Sequence, residues 1–307
     1  DAPVAPVAAS APKDPLAPLL AGLRELKSDP PPPATTNDTH YLVSNERRLD
    51  LYRPDIDGLG GVYVGVGTDQ NLVMAGWSRP ALMILVDFDQ QVVDLHAIHG
   101  ELLRASPDVA AFLRLWSAEG EREALSLLAR HAGEDARPRL AALYRSSRVD
   151  VARRLEVLAR RYRELDVRSY LDTPADYAAL RELFVKRRVV AVRGDFTHDG
   201  VVRRIAALLR EHDQRVRVLY LSNIEQYFTY KRAFKDNMLA LPLDESSVVL
   251  RTLPGRPAGF QYLLQRGDRL HEWMRAPRVW SVYRLRGLKK GEHLEANQRW
   301  VLEAAPP

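Results

Sequence analysis

The sequence predicts an α/β protein built on a Rossmann-like, doubly wound sheet. Three observations carry that expectation. Five apolar, strand-like runs, at 62–66, 82–86, 189–192, 216–221 and 248–250, each end in polar or acidic residues. Helical patterns separate them, and strands that alternate with helices imply parallel pairing through right-handed crossovers. The stretch 60–89 reads strand, glycine turn, short helix, second strand and two carboxylates. That is the opening unit of a nucleotide- or nucleoside-binding sheet.

Each element follows from local pattern. Residues 1–35 are Ala/Pro-rich and are expected to be a disordered tail and linker, because such a tract cannot build a core. Within it, 16–26 has helical spacing and is expected to dock loosely, and Pro30 to Pro33 reads as a stiff polyproline spacer. Residues 36–307 then form a single α/β domain. The first strand runs into Gly65-Val66-Gly67 and on to Thr68-Asp69-Gln70-Asn71. Glycines there let the backbone turn sharply and approach a ligand. The second strand ends in Asp87-Phe88-Asp89, with Asp87 twenty residues after Gly67. At that spacing an acidic side chain can take two ribose hydroxyls.

Residues 90–188 are helical in pattern, broken at Ser106-Pro107, Gly133 and Pro138. They are expected to form an insertion between strands 2 and 3, packed over the ligand edge as a lid, with a structural elaboration or a partner surface as the alternative. After the third strand come Gly194-Asp195-Phe196 and a helix with Val202, Ile205, Ala206 and Leu209 on one face. After the fourth come Ser222-Asn223-Ile224-Glu225-Gln226-Tyr227. The runs 259–265 and 279–286 have aromatic, period-two character and are expected to pair as a C-terminal antiparallel hairpin.

Composition narrows the class. No apolar run approaches the length of a membrane span. The net charge of +5 comes from arginine, and the Arg-rich stretch 153–163 reads as a solvated face. Aromatic residues are not regularly interleaved for base stacking, so nucleic acid is not an expected partner. The chain has no cysteine, which removes disulfides, thiolate nucleophiles and Cys-type zinc sites. An Ala/Pro tract of this kind follows cleaved secretory signals and is also what a trimmed chain looks like. An extracytoplasmic location, periplasmic or secreted, is expected over a cytoplasmic one.

The strand ends supply the candidate site. Gly65, Gly67, Asp69, Gln70, Asn71, Asp87, Asp89 and Asp195 are the expected ligand-binding set, joined by Asn45 and Glu46 from upstream. Asp69 in the first helical turn already uses the positive helix end, which disfavours a pyrophosphate and favours a cationic ligand; its other reading is a plain helix cap. Asn223, Glu225 and Tyr227 are the expected catalytic group. An amide there orients a nucleophile and Glu225 takes its proton, whereas the structural alternative makes Ser222-Asn223 a turn cap. His96 and His99 share a helical face with Asp94 but lack a third ligand of matching spacing. Asp87-Phe88-Asp89 also looks like the Asp-x-Asp of metal-dependent glycosyltransferases, on three residues only.

Five parallel strands with a terminal hairpin resemble the class I S-adenosylmethionine-dependent methyltransferase fold. The glycine loop, Asp87 or Asp89, Asp195 and Asn223 match that fold's strand-end motifs in order. Four stretches, Tyr41-Leu42-Val43-Ser44-Asn45-Glu46, 60–71, Val192-Arg193-Gly194-Asp195-Phe196 and 220–227, further resemble an uncharacterised bacterial family of methyltransferase-like proteins. The likeness extends over 237–247, including Leu241-Pro242-Leu243-Asp244, and in all covers residues 40–255. The resemblance implies S-adenosylmethionine as cofactor and a small-molecule or protein acceptor. Two departures count against it. Tyr63 stands where methyltransferases of this class carry an acidic residue, and Asp69 stands where many carry a third glycine. The alternative expectation is therefore a non-catalytic, extracytoplasmic binding protein that recognises a nucleoside, sugar or protein partner on the same fold.

Overall fold

The computed structural model describes residues 14–31, 41–285 and 295–306. Its strands are β1 (Val62–Gly65), β2 (Leu82–Asp87), β3 (Val189–Arg193), β4 (Val216–Tyr220), β5 (Val248–Pro254), β6 (Phe260–Arg266) and β7 (Arg299–Val301). They form one sheet in the order β3-β2-β1-β4-β5-β6-β7. Strands β1 to β5 run parallel, β6 returns antiparallel along β5, and β7 lies parallel to β6. The chain is thus α/β with a mostly parallel, Rossmann-like sheet. The strand order reverses between β1 and β4, and a ligand crevice belongs beyond the carboxyl ends at such a reversal.

Alternation along the strands splits the core in two. Tyr63, Met83, Leu85, Tyr220 and Tyr262 face one side; Val64, Ile84, Val86, Val192 and Leu219 face the other. In β4 the alternation skips at Arg217, because Val62 pairs with Val216 while Tyr63 pairs with Val218. That bulge keeps Val216 and Leu219 on one face and Val218 and Tyr220 on the other.

The first face carries α3 (Gln70–Ser78), α4 (Gln90–Ala105), α5 (Val109–Trp116), α6 (Glu121–His131), α7 (Arg137–Glu164) and α8 (Pro174–Val185), together with the short α2 (Arg53–Ile56). The second face carries α1 (Ala17–Arg24), α9 (Val201–Glu211), α10 (Arg232–Ala240), α11 (Gly267–Arg275) and the single turn α12 (Val282–Leu285). No helix among the described residues is long and apolar enough to cross a membrane.

Three expectations change. The insertion packs against α3, β2 and β3 on the first face of the sheet, not over the strand ends. Its helices α4 to α8 turn their apolar stripes inward, and that burial decides where they sit. The stretch 279–285 is no strand, and residue 286 lies outside the described residues. Val279 and Val282 are buried while Trp280 and Tyr283 are exposed, a period of three that fits a helical turn. The antiparallel hairpin is instead β5–β6.

The third change is at the amino end. Residues 1–13 and 32–35 of the expected tail lie outside the described residues, but 14–31 are a packed arm. Leu16, Leu19, Leu20 and Leu23 fall at helical spacing and are buried against α9 and β3. Beyond α1, Asp29 N–H donates to Arg193 O at 3.1 Å along the edge of β3. Asp29 itself is buried, and its carboxylate accepts Val201 N–H at 3.0 Å. Helix α9 starts after Gly200, which has no side chain to cap it. A Cβ at Gly200 would lie 1.9 Å from Asp29 Oδ1, so the glycine makes room for a cap supplied from 172 residues upstream.

Candidate functional site

A cavity of about 840 Å³ opens at the carboxyl ends of the strands. One flank is made by the ends of β1, β2 and β3, the other by the ends of β4 and β5 and the start of β6. A strap at residues 43–47 forms part of the wall between them.

On the first flank, Gly67 adopts φ +88°, a backbone region that glycine enters without penalty. Its N–H donates to Asp87 Oδ2 at 3.1 Å. Its carbonyl accepts from His96 Nε2 at 2.7 Å. The twenty-residue spacing thus closes into direct contact between glycine turn and strand end. Asp87 Oδ1 accepts Asp89 N–H at 3.0 Å, and Asp89 caps α4 through Gln91 N–H at 2.8 Å. Gln70 Oε1 accepts Thr68 N–H at 2.9 Å and keeps the loop folded. Asp195 Oδ1 accepts Thr197 N–H at 2.7 Å, while Asp195 N–H donates to Asp29 Oδ2 at 3.1 Å. Phe88 and Phe196 add apolar wall.

Asn45, Glu46, Gly67, Gln70, Asp87, Asp195, Asn223 and Tyr227 all line the cavity, and Tyr227 stands half exposed at its rim. Gly65, Asp69, Asn71, Asp89 and Glu225 do not line it. Gly65 backs onto Asn71, whose amide is fully buried, donates to Val66 O at 2.9 Å and accepts from Tyr63 O–H at 2.8 Å. Asn71 therefore braces the loop from behind. Tyr63 points into the core and not at the ligand edge.

Asp69 makes no capping bond with α3. Buried, it accepts Ser44 N–H at 2.6 Å and Arg154 Nε at 2.8 Å. Arg154, reaching down from α7, also donates to Glu46 O at 2.8 Å. The charge of Asp69 is therefore matched in place, and it pins the strap instead of repelling an anion. The expected electrostatic bar to a pyrophosphate at this helix start does not hold.

On the second flank, Glu225 is almost fully buried in an ion pair with Arg251 Nε at 2.5 Å, and Tyr230 O–H donates to it at 2.5 Å. A carboxylate sealed against a buried guanidinium outside the cavity is not a base for a bound acceptor, so that expected role is withdrawn. The glutamate that lines the cavity is Glu46. Its carboxyl accepts Thr252 Oγ1 at 2.7 Å, Ser222 Oγ at 3.0 Å and the Tyr220 hydroxyl. Burial raises the Glu46 carboxyl above the usual range against the pull of those three donors.

The histidines serve the fold. Burial holds His96 at about 4 and His99 at about 3, and His99 lies against Phe112 and Trp116. Asp94 is taken by Arg139 at 3.1 Å. No group of three or more metal-ligating side chains occurs among the described residues.

Sequence reasoning missed Asp29, Arg154, Tyr220, Thr252 and Arg251. Only Arg251 left a signal, a charge inside the apolar run Val249-Leu250-Arg251-Thr252-Leu253. A charge in such a run needs a buried partner.

A family model described as a domain of unknown function, DUF7790, matches residues 41–299. No curated protein sequence matches the chain.

Proposed function

The chain belongs to that family of unknown function, and since the family's description assigns no chemistry, we propose a function from the cavity itself. It is a methyltransferase-like protein that binds S-adenosylmethionine along the β1–β2–β3 flank and serves a small-molecule or protein acceptor on the other. The observation that carries this reading is the bond from Gly67 N–H to Asp87 Oδ2. It brings a carboxylate and a glycine turn together on one cavity wall.

The donor set suits the group. A carboxylate has about four lone-pair sites, and Asp87 presents one such group at the cavity wall, where ribose hydroxyls could donate to it. Phe88 and Phe196 offer flat apolar surface for a purine, and Asp195 an acceptor for its amino group. Two aspartates, Asp87 and Asp195, line the cavity and favour a cationic ligand. A volume of about 840 Å³ lies within the range of small-molecule pockets. When bound, S-adenosylmethionine supplies an electrophilic methyl group on a sulfonium. The chain's own part is to hold the acceptor in line and exclude water, for which Asn223 offers an amide at the strand end.

A second reading is a binding protein without catalysis, acting outside the cytoplasm. Glu225 sealed by Arg251 and Tyr63 turned into the core favour it. The test is calorimetric titration with S-adenosylhomocysteine, on the parent and on Asp87→Ala. Micromolar binding that Asp87→Ala weakens by about tenfold or more supports the adenosyl site. No heat and no thermal shift at millimolar ligand overturns it.

A further inference from the structure

The opposite end of the sheet carries a second cavity that nothing above uses. It has a volume of about 340 Å³ and is lined by Arg210, Arg215, Arg275 and His271, with Pro242 and Leu243 behind them. Gln214 and Arg215 precede β4, and Leu241 to Leu243 precede β5, so this cavity sits at the amino ends of the strands. Strand β4 alone, five residues at about 3.3 Å each, separates it from the first site.

Charge is concentrated there on one side. The carboxylate lining this cavity is Asp213, whose side chain is 94% exposed and 3.9 Å from Arg215. It turns toward water and leaves the guanidinium groups largely uncompensated. Helices α9, α10 and α11 all end nearby, and basic side chains complement helix carboxyl ends. That accounts for Arg210, which donates to Leu239 O at 3.2 Å, and for His271, whose Nε2 lies 3.0 Å from Met238 O. It covers Arg275 as well, in the last turn of α11, but the Arg275 side chain makes no hydrogen bond or ion pair among the described residues, and there the Arg215 side chain has only the long contact to Asp213. Burial lowers the His271 imidazole below its usual range against the bond to Met238, and Arg275 and Arg210 lower it further. His271, Arg210 and Arg275 all line the same cavity.

We propose that this cavity binds a compact phosphate-type dianion, held by Arg210, Arg215 and Arg275 with His271 at its side. Guanidinium groups match the planar oxygen pairs of a phosphate, and the volume suits a small molecule, not an extended polyanion.

The His271 ring reports directly. Its titration would be followed by NMR on the intact chain, with inorganic phosphate added at constant ionic strength and His271→Gln used to assign the signal. A bound dianion stabilises the imidazolium, so the His271 pKa is expected to rise on saturation. The double variant Arg215→Ala/Arg275→Ala is expected to weaken phosphate binding by about tenfold or more. Arg203→Ala, outside this cavity, is expected to leave it unchanged. Both arginines are exposed, so melting curves of the double variant should match the parent. Inorganic phosphate and glycerol phosphate are compared to separate a free anion from a phosphate ester, and either binding supports the site. An equal shift with sodium chloride alone, or a double variant that binds like the parent, overturns it.

Discussion

At the β1–β2–β3 flank of the cavity, Asp87, Asp195 and Asp29 hold mainly backbone N–H groups; at the β4–β5 flank, Glu46 and Glu225 hold side chains. Asp87 bonds Gly67 and Asp89, Asp195 bonds Thr197, and Asp29 bonds Asp195 and Val201. Glu46 instead takes hydroxyls from Tyr220, Ser222 and Thr252, and Glu225 takes Arg251 and Tyr230. A carboxylate that organises its own loop, as Asp87 and Asp195 do, stays at the cavity wall. One that neutralises a buried guanidinium is committed to the fold, because parting such a pair leaves a bare charge inside the protein. Acidic residues at strand ends are thus of two kinds, and position after a strand does not distinguish them.

The largest expected effect tests whether the arm belongs to the first flank. Deleting residues 1–31 removes Leu19, Leu20 and Leu23 from the core and Asp29 from α9. At about 1.5–3 kcal/mol per buried leucine, the loss should exceed about 5 kcal/mol and lower Tm steeply. A truncated chain that melts within a degree or two of the parent would detach the arm from the flank.

Next comes the ion pair. Glu225→Ala strands Arg251 and should cost about 3–5 kcal/mol, while protein that remains folded still binds S-adenosylhomocysteine. Lost binding at unchanged Tm would return Glu225 to the site.

The His96 bond to Gly67 ties the first flank to pH. Above pH 6.5, His96 and His99 are neutral in both folded and unfolded chains and add no pH dependence. Below it the unfolded chain takes up protons that the folded one, at about 4 and about 3, does not. Stability therefore falls as pH falls from 6.5 toward 4, by about 2 kcal/mol per histidine at pH 5. Denaturant melts at pH 7 and pH 5 would read the slope. Replacing His99 by leucine should remove its share, and an unchanged slope would assign the effect elsewhere.

Smallest is Asp87→Ala, expected to cost about 1.4 kcal/mol or more in ligand affinity with little change in Tm. A large drop in Tm with affinity intact would make Asp87 a structural brace like Asn71.

Much of the frame was legible because it is local. Five apolar runs marked the five parallel strands, and the polar clusters after them marked the carboxyl edge where Gly67 and Asp87 lie, though not the bond between those two. Residues whose role depends on a distant partner were not legible. Nothing near Asp69 announces Arg154, 85 residues on, and nothing near Asp29 announces α9. The hairpin was assigned too late in the chain, because Val279 and Val282 mimic a strand in composition while their spacing of three is helical. The insertion's length suggested a lid, but its apolar stripes demanded the face of the sheet.

The strap and arm also impose an order of events during synthesis. Asp29 waits for Val201, 172 residues later, and Glu46 waits for Thr252, 206 residues later. At about 5–20 residues per second, the ribosome takes on the order of 10–40 s to deliver those partners. The arm and the strap are thus made long before their partners, and the cavity closes only after β5 has been made.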